Sequence, residues 1–138
     1  MNFDIQELIP QRNPIIQVDE LIRVEGDTAE TSLLVKADNF FIDEDQLFAE
    51  PGLIEHIAQS ASAFAGCQAI QQGATTPPVG YIGEVKRFHC YRRPAIGEQL
   101  HTTITMGAEV AGVTMLTGET HVGEKLVADT QMKIFVKQ

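Results

Sequence analysis

Residues 51–66 read Pro51-Gly52-Leu53-Ile54-Glu55-His56-Ile57-Ala58-Gln59-Ser60-Ala61-Ser62-Ala63-Phe64-Ala65-Gly66, and this stretch decides the architecture. Ile54, Ile57, Ala61 and Phe64 recur at helical spacing, and a proline in the opening turn is compatible with a helix start. The expected helix runs from Leu53 to about Gln72, ahead of a breaker cluster at Gly73–Pro78. Most of its other positions are Ala, Ser or Gly, and no charge follows Glu55 apart from the neighbouring His56. A surface helix would carry Lys and Glu on its outer face. Small residues all round instead let backbone approach from several sides, as a helix wrapped by a curved sheet requires.

Outward from the helix the pattern changes to strands. Ile15–Val24 reads as a strand after Pro10 and Pro14, Gly26-Asp27 as a turn, and Thr28–Ala37 as a returning strand. Asp38–Pro51 is acidic and irregular and reads as a loop. Four further strands follow at Val79–Tyr91, Glu98–Val110, Gly112–Val122 and Lys125–Val136; the last three have the spacing of a meander. The fold class is therefore α+β, one long helix against an antiparallel sheet of about six strands. One domain over residues 1–138 accommodates all of it. A single sheet with one helix leaves free edges, so a dimer is expected.

Composition excludes several classes. The net charge is −9, which argues against nucleic acid as a partner. No apolar run is long enough to span a bilayer, and Met1–Ile5 lacks the basic start of a secretory signal, so a cytoplasmic protein is expected. Cys67 and Cys90 lack metal-ligand spacing and read as buried free thiols; no cofactor or metal is implied. Charge is uneven: residues 1–55 hold 13 acids and 3 bases, residues 56–138 hold 6 acids and 7 bases. Lys86, Arg87, Arg92 and Arg93 cluster, either as an anion-binding patch or as solvated strand ends.

Several motifs carry a resemblance. Ile9-Pro10-Gln11-Arg12-Asn13-Pro14 leads to Val18-Asp19; Phe40-Phe41 precedes the helix; Pro51-Gly52 opens onto Glu55-His56-Ile57-Ala58-Gln59; Arg87-Phe88 is followed by Arg93-Pro94 and Gly97-Glu98-Gln99-Leu100. In this order they resemble the hot-dog fold of the β-hydroxyacyl-acyl-carrier-protein dehydratases, over nearly the whole chain. The resemblance implies an acyl-pantetheine thioester beside the helix, with Phe40, Phe41, Pro51 and Gly52 near it. It also implies an acyl carrier protein as partner, docked by Arg12, Lys86, Arg87, Arg92 and Arg93. Such dehydratases use a loop His of one subunit and a helical carboxyl of the other. Glu55 matches the carboxyl and Gln59 its neighbour one turn on. The His position falls on Glu44, and Gln11 stands where the family carries another His. The chain looks like the His-less member of the dehydratase pairs found in aryl-polyene-type clusters.

Two readings compete at most of these positions. A carboxyl on a helix of Ala, Ser and Ile favours its protonated form and suits a general acid; a Glu at a helix start also satisfies free backbone N–H groups. Gln59 lies at i+4 from Glu55, placed to hold it or to bond a thioester oxygen. His56 is about 100° around the helix from Glu55 and pairs with it poorly. Glu44, Asp45, His56 and His89 are the candidate replacement bases, each with a bland alternative: an exposed acidic loop for the first two, a structural histidine for the others. Three functions remain open. They are a 3-hydroxyacyl-carrier dehydratase, a non-catalytic acyl-carrier-binding subunit (a homodimer, or a heterodimer with a His-bearing paralogue), and an acyl thioesterase.

Overall fold

A computed structural model describes residues 3–76 and 79–137. The elements in chain order are α1 (Ile5–Leu8), β1 (Glu20–Glu25), β2 (Thr28–Leu34), α2 (Glu50–Gln71), β3 (Val79–Cys90), β4 (Gln99–Val110), β5 (Val113–Val122) and β6 (Lys125–Lys137). The strands form one six-stranded antiparallel sheet in the order β1-β2-β4-β5-β6-β3. It wraps around α2, which buries residues on every side, from Leu53 and His56 to Phe64 and Cys67. The α+β expectation holds, and β4–β6 form the meander. Pro77 and Pro78, part of the expected breaker cluster, lie outside the described residues.

The core has two parts. Around the middle of α2, Ile57, Ala61 and Phe64 pack with Leu8, Ile104, Leu116, Met132 and Ile134. Around its start, Leu53 packs with Phe48, Leu33, Val35, Leu100 and Ala128. Close approach explains the small residues. A Cβ on Gly66 would lie 1.9 Å from the Leu8 carbonyl oxygen, so α1 rests directly on the backbone of α2. From the sheet side, a Cβ on Gly118 would meet Ile57 at 2.6 Å.

The elements differ from expectation in four places. The sequence reading had no helix at α1: four residues are too few for periodicity, and a capping box between Asp4 and Glu7 holds the turn instead. The first strand begins at Glu20 rather than Ile15, because Ile15 and Gln17 bond to side chains of α2 and not to a neighbouring strand. β2 ends at Leu34 rather than Ala37, yet its alternation persists, with Leu33 and Val35 buried and Leu34 and Lys36 exposed. α2 starts at Glu50, with Pro51 in its opening turn.

β3 and β1 are the sheet edges. β3 is paired on one side only, to β6, and shifts register twice along its length, at Ile82/Glu84 and Val85/Arg87. Phe135 of β6 lies against Gly83, where any side chain would clash with its ring. Among the described residues no helix is long and apolar enough to cross a membrane.

Gly66→Ala forces α1 and α2 apart. We expect a loss of about 2 kcal/mol of stability from overpacking against rigid backbone, read as a lower urea midpoint. An unchanged midpoint would show that α1 does not rest on α2 in solution.

Candidate active site

Three residues on successive turns of α2, Glu55, Gln59 and Ser62, face a cleft of about 200 Å³. Gln11, Ala58, Ile82 and Ile134 complete its lining. Because α2 begins at Glu50, Glu55 sits in the second turn, past the N–H groups that lack helical partners. Its carboxylate is therefore not a helix-start cap. It is half-buried, and Gln59 Nε2 donates to its Oε1 at 3.0 Å.

Gln59 is held from three directions. Nε2 also donates to the Ile15 carbonyl at 2.8 Å, and Oε1 accepts the Gln17 backbone N–H at 2.6 Å. One side chain thus ties residues 15–17 to the helix and orients Glu55. Both hydrogens of its amide are committed to these fixed partners.

His56 points the other way, into the core, and is fully buried. The Gln17 carbonyl can only accept, so Nδ1 carries the proton and donates to it at 2.6 Å. Nε2 accepts from Thr102 Oγ1 at 2.7 Å, and Thr102 accepts in turn from Thr120 at 2.7 Å. Burial pushes the imidazole down to about 4, against the raising effects of the Gln17 carbonyl and Asp19. The ring is a neutral strut with both nitrogens occupied, and it does not line the cleft.

The acidic loop is organised away from the cleft. Asp43 accepts from the backbone N–H groups of Asp45 (2.9 Å) and Leu47 (3.1 Å), and it pairs with Arg93. Although desolvation acts to raise it, these bonds and Arg93 hold the Asp43 carboxyl below its usual range. Asp45 lies 3.0 Å from Arg93 Nη2, and Glu44 is exposed; neither lines the cleft. His89 belongs to another surface: Nδ1 meets Asp129 at 2.9 Å beside Tyr91, whose hydroxyl donates to the same carboxylate at 2.9 Å. With Arg87 and Glu119 these groups line a separate open hollow.

Half of the basic cluster is ion-paired within the fold. Arg92 bonds Glu98 at 2.6 Å, Arg93 holds the acidic loop, and Arg12 donates to the carbonyls of Gln6, Ile9 and Gln11. Among the described residues Lys86 and Arg87 make no ion pair, and both are exposed on the edge strand β3. Phe41 packs edge-on between Phe40 and Phe48 and covers Gly52, while Phe40 is 58% exposed. Pro51 is exposed. None of these four lines the cleft holding Glu55. Cys67 is buried and Cys90 half-buried, and burial pushes both thiols up. No group of three or more His, Cys, Asp or Glu among the described residues is placed to hold a metal.

Gln11 was legible only as a departure from a motif; its place in the cleft depends on the tertiary structure. Its Oε1 is buried with no hydrogen-bond partner among the described residues, an arrangement that costs about 1–3 kcal/mol.

One long helix embraced by a six-stranded antiparallel sheet defines a hot-dog fold. The chain belongs to the ApeP-like family, ApeP dehydratase, whose family model matches residues 3–138. No curated protein matches it by sequence. Among solved structures it is similar to the dehydratase heterocomplex ApeI:P of Xenorhabdus doucetiae, with a TM-score of 0.92 and 13% identity over all of this chain and 93% of that one. It is also similar to the Escherichia coli PaaI protein of the phenylacetic acid degradation operon, with a TM-score of 0.67 and 14% identity over 84% and 81% of the two chains. At these identities the likeness shows the fold.

A histidine held neutral by burial makes stability fall as pH drops. The free ring titrates near 6.5 and the buried one near 4, so the unfolded chain takes up a proton first. Stability from this source is complete above pH 6.5 and declines towards pH 4 by about 3 kcal/mol in all. We expect the urea midpoint to fall from pH 7 to 5. In His56→Gln the fall should be shallower, although that variant is weaker at pH 7. A flat wild-type profile would contradict a buried neutral His56.

Proposed function

We propose that this chain is the Glu55-bearing member of a two-subunit 3-hydroxyacyl-acyl-carrier-protein dehydratase. One observation carries the reading: a carboxyl group braced by Gln59 in a cleft whose other described lining residues include no basic group. β-Elimination needs both partners. A base takes the α-hydrogen, the C–H electron pair becomes the C2=C3 bond, and the C3–O bond breaks as the acid protonates the departing hydroxyl to water. Glu55 is the acid, and the base comes from a second, His-bearing subunit. The heterocomplex named for the similar structure supports such an assembly here.

The unpaired edge of β3 is where a second sheet would continue this one. Lys86 and Arg87 are the cations left free on that strand for an acidic carrier and its phosphopantetheine arm, whereas Arg92 and Arg93 are occupied within the fold. Glu55 activating a water on the thioester is the rival use of the same carboxylate, and a hydrolysed acyl chain would reveal it.

The test incubates a short 3-hydroxyacyl-carrier protein with the chain alone and with a co-purified His-bearing paralogue, following the acyl mass. The complex should remove one water and the chain alone should leave the substrate intact. Glu55→Gln within the complex should slow turnover about 100-fold or more. Dehydration by the chain alone would overturn the shared site, as would full activity of the Glu55→Gln complex.

A further inference from the structure

The cleft contains two polar side chains that the chemistry above does not use, Gln11 and Ser62. Gln59 has no hydrogen left for a ligand, since its amide is bonded to Ile15, Glu55 and Gln17. The polar groups remaining on the lining are the Glu55 carboxyl, the Ser62 hydroxyl and the Gln11 amide. Gln11 sits on fixed backbone: Arg12 Nη1 bonds the carbonyls of Ile9 and Gln11, both at 2.8 Å, and Ile9 is fully buried. From that anchored position its amide reaches the cleft, with Oε1 withdrawn from water and unpaired. The terminal torsion of a glutamine is broad, so turning this oxygen towards a bound ligand costs little.

We infer that Gln11 is a substrate-binding residue that recognises the 3-hydroxyl, its Oε1 accepting the hydroxyl hydrogen while Glu55 addresses the hydroxyl oxygen. The assignment rests on reading the cleft as a 3-hydroxyacyl thioester site. A hydroxyl has one hydrogen to donate and two lone pairs that accept. A protonated Glu55 needs a lone pair aimed at it, and that aim is set only when the hydroxyl's own hydrogen is held elsewhere. Among the described residues Gln11 Oε1 is the buried lining acceptor without a partner. The ligand class follows. An unpaired buried acceptor discriminates against an acyl chain lacking the hydroxyl, because such a chain leaves it unpaired; a purely apolar pocket discriminates weakly. The enoyl product lacks the hydroxyl, so the same device favours product release.

The experiment uses the full chain and two uncleavable pantetheine amides of equal length, one with a 3-hydroxyacyl chain and one with a saturated chain, measured by calorimetry. Wild type should prefer the hydroxylated analogue about 10-fold. Gln11→Met should erase that preference through weaker binding of the hydroxylated analogue, leave the saturated one unchanged, and melt no lower than wild type. Gln11→Asn keeps the amide but shortens its reach, so it should lose the preference too. Preference retained in both variants would overturn the role of Gln11 while leaving the acyl-thioester site standing. Wild type that binds both analogues equally would also overturn it. Wild type that binds neither would overturn the site reading itself, and the assignment with it.

Discussion

The Gln59 amide is the interaction on which the rest of the structure depends. It bonds Ile15 and Gln17 on one side and Glu55 on the other, so the segment crossing α2 and the candidate acid are held by one group. His56 secures the same segment from the far side of the helix through the Gln17 carbonyl, and it continues through Thr102 to Thr120 on β4 and β5. Ser60 and Thr31 add a third link, from α2 to β2. Each of these polar groups is satisfied, and removing one member leaves its neighbours buried without partners. A helix packed only by Ala and Ile would have little to fix its rotation within the sheet. This network fixes it, and with it the direction in which Glu55 faces.

In the proposed function, the site that results supplies the acid half of an elimination. An acid is braced and directed at a cleft whose described lining offers no base. The acidic loop at the position of the family's His is organised around Arg93. Asp43 closes the turn on two backbone N–H groups and, with Asp45, holds Arg93. That loop therefore stabilises the segment entering α2. Asp43 and Asp45 are drawn towards the Arg93 guanidinium, whereas Glu44 is exposed. An exposed ion pair of this kind adds little stability by itself, but here it joins a loop to residues almost fifty positions further along the chain.

Much of this was legible beforehand, and the failures have common causes. The alternation of β4–β6 and the small-residue helix are local signals, and they specified the architecture. Ile15, Ile16 and Val18 have strand-forming side chains, but the partners of that backbone are side chains about forty residues away on α2. No local pattern records that. A charge count cannot show that Arg92 and Arg93 already have carboxylate partners, whereas among the described residues Lys86 and Arg87 have none. His56 looked like a candidate base, whereas burial and two hydrogen bonds make it a neutral strut.

The sequence by itself determined the fold class, the family resemblance, the position of Glu55 on the central helix with Gln59 one turn on, and the missing loop histidine. These follow from periodicity and from residue types at fixed spacing. Only the tertiary structure decided which polar groups remain free to meet a ligand: Glu55, Ser62 and Gln11 in the cleft, but not Gln59, His56 or Asp45. Hydrogen-bonding capacity is used up by partners distant in the chain, and the three-dimensional packing alone establishes who those partners are.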